Sequence, residues 1–123
     1  MDKLNSTKFK ENLLKVVRMD YHIQVYNYSD DFFTISFNHL NSVYNGLATI
    51  NINTGKTIID YQYHTKNKQI EKIIISILEY IRVQKRLRKN YDWIIDTIDY
   101  YSELSKTIFK AKYSTSIILH TEY

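Results

Sequence analysis

The sequence predicts an α+β fold: an N-terminal helix, an antiparallel meander of three to four strands, one long helix and a second C-terminal helix, with room for a short terminal strand. Two changes of hydrophobic period carry that prediction. Spacing of about 3.6 residues governs the first 20 positions, spacing of two takes over at Tyr21, and the helical period returns after His64. Turn-forming residues separate the alternating stretches. At 123 residues the chain is expected to form one α+β domain spanning 1–123 around a single core.

The first helix is expected over residues 6–19. Phe9, Leu13, Val16 and Val17 recur at helical spacing, and Ser6 has the hydroxyl of an N-cap. From Tyr21, the residues Tyr21, Ile23 and Val25 alternate with His22, Gln24 and Tyr26, a strand pattern. Ser29, Asp30 and Asp31 supply a turn, and Phe33, Ile35 and Phe37 mark the second strand. A third strand is expected after a polar loop, up to about Asn53, and a fourth over Thr57–Tyr63. Gly55 between them suits a tight hairpin, because glycine reaches positive φ without steric cost.

Ile70, Ile73, Ile74, Ile77, Leu78 and Ile81 form one broad stripe, enough for a helix to cover a sheet face. A further helical pattern covers about Asp92 to Phe109, with Ile94, Ile95, Ile98, Tyr101 and Ile108 on one side. The tail from Ser114 to Tyr123 reads as a further strand or a frayed end.

Several chemistries are excluded or disfavoured. The chain has no cysteine, so disulfides, thiol catalysis and thiolate zinc sites are out. It has two glycines and no proline, which leaves no glycine-rich phosphate loop. Gly55-Lys56-Thr57 resembles the end of such a loop, but Ile50 stands where its first glycine belongs and a strand follows. The four histidines, His22, His39, His64 and His120, show no metal-ligand spacing and read as surface or loop residues. Asp30 and Asp31 read as turn formers. Nothing assembles an acid, a base and an oxyanion site, so the expectation is a non-enzyme without cofactor or metal. No apolar run approaches the roughly 20 residues of a membrane span. The expected location is the cytoplasm of a bacterial host.

Charge is the one strong asymmetry. The chain carries 17 basic and 13 acidic side chains, and five of the basic ones lie between Arg82 and Lys89. At 100° per residue, Arg82, Lys85, Arg86 and Lys89 share a quarter-turn flanking the isoleucine stripe. Asp92, Asp96, Asp99 and Glu103 share a face of the next helix, opposite Ile94, Ile98 and Tyr101. Both runs have a plain reading as solvated helix faces. The functional reading makes Arg82, Lys85, Arg86, Arg88 and Lys89 an anion- or partner-binding patch with Tyr91 and Trp93 beside it. Arginine forks suit phosphate, and aromatic rings stack on bases or anchor proteins. Tyr21, Tyr26, Tyr28, Tyr44, Tyr61 and Tyr63 suggest a second interface, a tyrosine-lined open sheet face.

Two resemblances accompany these residues. The order helix, strands, helix from Ser6 to about Lys85, with Lys66, Lys68 and Lys72 opening the second helix, resembles a double-stranded-RNA-binding domain in outline. That family's Gly-Pro-His loop is absent here. In type, a small cysteine-free α+β protein with A/T-rich coding and a basic helix is similar to phage accessory proteins, including anti-CRISPR inhibitors. That likeness implies steric inhibition of a host protein or ribonucleoprotein complex, such as a CRISPR RNA-guided nuclease. The alternatives are direct DNA or RNA binding by the basic helix, and a structural, self-associating phage component.

Overall fold

A computed structural model describes the backbone of residues 2–62 and 67–121, and the side chains of residues 6–62 and 67–113. Helix α1 spans Asp2–Arg18. Strands β1 (Tyr21–Tyr28), β2 (Phe32–His39), β3 (Asn45–Asn51) and β4 (Thr57–Tyr61) follow, then α2 (Lys68–Arg88) and α3 (Asp92–Thr121). The strands form one antiparallel meander in sequence order. The expected α+β class is the observed one. Ser6 is not the N-cap, because α1 starts four positions earlier, at Asp2. Nor does the tail supply a strand: the helical backbone of α3 continues through Thr121.

All three helices lie against the sheet in the lateral order α2, α1, α3. Phe9, Leu13 and Val16 of α1, Ile74, Ile77 and Ile81 of α2, and Ile94 and Ile98 of α3 meet Ile23, Phe33, Ile35 and Ile50 of the sheet in one core. Since α1 lies between them, α2 and α3 do not form a helical hairpin. Each turn has a local cause. Asp20 takes a left-handed conformation (φ 62°) and ends α1. Asn67 caps α2 by accepting the amides of Gln69 and Ile70 at 3.0 and 3.2 Å. Gly55 supplies φ 79° in the β3–β4 hairpin, and its amide reaches the Asn51 carbonyl at 2.8 Å.

Alternation fails at one place in the sheet. The pairing of β1 with β2 slips between Val25 and Asn27, leaving Tyr26 as a bulge. Beyond it the phase reverses, so Tyr28 turns to the helix side and stacks on Phe33. Tyr21 is buried there too, and Tyr61 donates to Glu71 of α2 at 2.6 Å. The open face is therefore not lined by tyrosines: of those expected, Tyr26 lies on it, Tyr44 sits in the β2–β3 loop, and Tyr63 is outside the described residues.

The two sheet edges differ. α3 runs along β1, from Tyr91, whose hydroxyl donates to the Ser29 carbonyl at 2.8 Å, to Lys112 and Tyr113, which both reach the Asp20 carboxylate. Strand β4, at the other edge, pairs with β3 alone among the described residues.

Candidate binding face at the end of helix α2

The basic run occupies the last two turns of α2, where the β1–β2 and β3–β4 turns converge. Two of its side chains, those of Arg82 and Lys85, belong to the fold itself. The Arg82 Nε donates to the Ile52 carbonyl at 3.0 Å, and its guanidinium lies 3.0 Å from where a Cβ on Gly55 would stand. This arginine clamps the β3–β4 hairpin. The Lys85 side chain is only 13% exposed. Its Nζ is 3.0 Å from Asp30 Oδ1, donates to the Lys89 carbonyl at 3.0 Å, and stands 4.6 Å from the Tyr91 ring centroid. Lys89, with φ 60°, is the left-handed C-cap that this lysine closes. A cation here also opposes the negative end of the helix dipole.

The aromatic members turn inward. Tyr91 is buried, its ring 5.3 Å from that of the exposed Tyr28 and 4.9 Å from that of the buried Phe33. Burial, then the carboxylates of Asp30 and Asp31, push its phenol up to about 12. Trp93 is half-buried between Phe9 and Tyr80, with Lys10 over its ring at 5.8 Å. The Tyr91 ring is therefore not presented for stacking on a base, and a lysine already stands over that of Trp93.

Arg86, Arg88 and Lys89 remain on the surface. Arg86 and Lys89 border a concavity of about 470 Å³ with Asp30 and Asn53 on its far side. The seven expected residues thus divide by burial: Arg86, Arg88 and Lys89 are exposed, while Arg82, Lys85, Tyr91 and Trp93 are half-buried or buried.

No family model, curated protein or solved structure matches the chain.

Charge reading alone passes over two residues. Val83 is 43% exposed and Leu87 64% exposed, one turn apart, with Arg86 on the same side of the helix. Isolated apolar exposure is ordinary. Here two branched aliphatic side chains adjoin the outward cations at one helix end. The signal was present in the sequence, since positions 83 and 87 fall off the isoleucine stripe, where a solvated helix face would be polar. Among the described residues there is no cluster of His, Cys, Asp or Glu able to hold a metal, and no helix long and apolar enough to cross a membrane.

Proposed function

We propose that the chain is a non-catalytic interaction protein that blocks a nucleic-acid-handling complex sterically, docking the outer end of α2 on an acidic protein surface. One observation carries this reading: Val83 and Leu87 are exposed beside Arg86, with Arg88 and Lys89 nearby. An apolar centre with a charged rim is the anatomy of a protein interface. Naked nucleic acid fits less well, since the Tyr91 ring is buried and the Asp30 carboxylate stands within the patch, paired with Lys85. An RNA-guided nuclease of a bacterial host, inhibited by a phage-type protein, is the partner class with the right combination of acidic protein surface and bound nucleic acid.

The test combines two measurements. Cleavage by a panel of RNA-guided nucleases is assayed with the wild-type protein and with Arg86→Glu and Leu87→Asp variants. Fluorescence anisotropy with labelled DNA and RNA is run at low and moderate salt. Inhibition of one nuclease, lost in both variants while their thermal melts stay unchanged, supports the proposal. Tight nucleic-acid binding with a steep salt slope, lost in Arg86→Glu and kept in Leu87→Asp, would transfer the face to a nucleic-acid ligand. A panel with no inhibited member removes the steric block.

A further inference from the structure

The face of the sheet turned away from the helices carries a second surface of different chemistry. Strand register builds it. Gln24, Ser36, Leu47 and Asp60 are consecutive pairing partners, so they form one row across all four strands. In the next row Asn38 pairs with Asn45, and the Gln62 amide donates to the Asn45 carbonyl. The inner strands place short or medium side chains at the centre of the first row, and the outer strands place Gln24 and Asp60 at its ends. Tyr26, lifted by its bulge, stands at the β1 side and is 65% exposed. The result is a trough of about 660 Å³, within the range of ligand sites. Three strand intervals separate its walls, about 14 Å.

The lining selects against most ligand classes. Among the described residues of the lining only Asp60 is charged, so phosphates and nucleic acid meet a carboxylate there. Leu47 is the aliphatic side chain of the described lining, which also includes the aromatic residues Tyr26, Phe37 and Tyr61. Its polar side chains are mostly carboxamides, from Gln24, Asn38, Asn45 and Gln62. Each amide presents an acceptor and two donors side by side, which matches vicinal hydroxyls that both donate and accept. An exposed tyrosine at the rim offers the flat apolar plate on which the C–H face of a pyranose can lie.

We infer that this trough binds a neutral, hydroxyl-rich ligand, one or two pyranose units of an uncharged saccharide chain, with Tyr26 as the stacking platform and the amides reading the hydroxyls. The inference is independent of the α2 face, which lies on the other side of the sheet.

The experiment is an amide-resolved NMR titration of the full chain with uncharged oligosaccharides of glucose, mannose and N-acetylglucosamine, at millimolar concentration. At least one is expected to shift resonances of Gln24, Ser36, Leu47 and Asp60 and to leave α2 unmoved. Tyr26→Ala should weaken that binding about tenfold. Leu47→Arg, which fills the trough, should abolish it, and Arg86→Glu should leave it intact. No shift with any saccharide, shifts outside the trough, or shifts indifferent to Tyr26→Ala would overturn the assignment. So would an unstructured peptide that binds the same rows while the saccharides do not.

Discussion

His22 and Ser105 meet across the β1–α3 interface, with Nδ1 and Oγ 3.0 Å apart in a buried contact between residues 83 positions apart in sequence. The Ser105 hydroxyl donates to the Ser102 carbonyl at 2.7 Å, so its oxygen is left to accept from Nδ1–H. The imidazole Nε2, 3.2 Å from Ser102 Oγ, is then the acceptor of the second hydroxyl. A neutral ring satisfies every partner. Burial, then the nearby Lys106 ammonium, lower the His22 pKa, with smaller opposing effects from Ser102 and Glu103.

Stability should therefore fall in mild acid. The unfolded chain takes up a proton at His22 below about pH 6.5, while the folded chain resists it. The stabilisation is complete above that value and is lost as pH drops toward the lower folded pKa. Thermal melts at pH 7.5 and pH 5.5 measure it. His22→Gln should reduce the difference between the two, and an identical difference in the variant would refute the role of this ring.

Gln84 makes the opposite kind of prediction. It is 2% exposed, and neither its Oε1 nor its Nε2 has a hydrogen-bond partner. A buried, unsatisfied amide costs roughly 1–3 kcal/mol. Gln84→Met, similar in shape and free of that penalty, should stabilise the fold by about 1 kcal/mol in urea denaturation. Destabilisation would mean that the amide is solvated in place.

The Lys85 cluster predicts an asymmetry between partners. Lys85→Ala removes a cation–π contact, an ion pair and the α2 C-cap bond together, and should cost about 1–2 kcal/mol. Asp30→Asn breaks only the ion pair, at a carboxylate that is 92% exposed, and should cost well under about 1 kcal/mol. Equal losses in denaturant titration would show that the ion pair alone holds the site.

The two glycines should fail for different reasons. Gly55→Ala forces a Cβ into a left-handed conformation and against the Arg82 guanidinium, for about 1–2 kcal/mol. Gly46→Ala places its Cβ 2.6 Å from Cζ of the buried Phe37 ring, an overpacking cost of about 1–3 kcal/mol. Adding Arg82→Ala should ease the Gly55 variant and leave the Gly46 variant unchanged, which a double-mutant cycle reads directly.

Most of the scaffold was legible because period and burial are local. The isoleucine stripe of α2 is buried at Ile70, Ile74, Ile77, Leu78 and Ile81, and alternation placed Ile23, Phe33, Ile35 and Phe37 on the inner face. What escaped was set by distant partners. No local rule tells that Arg82 will meet the Ile52 carbonyl, or that His22, an edge-strand residue on the outer phase of β1, will be sealed by two serines of α3. The bulge at Tyr26 reversed the phase of Tyr28 without any glycine to announce it. The same limit applies to the charged run: sequence spacing put five cations near one another, and only tertiary contacts decided which two would serve the fold.

Among the described residues β4 pairs with β3 alone while α3 packs along β1, so an added strand would meet the sheet at β4. Two copies joined β4 to β4 would bury the exposed ladder of both, and each outer rim would then be a helix. In such a pair α3 would stand beside the outermost strand of each copy.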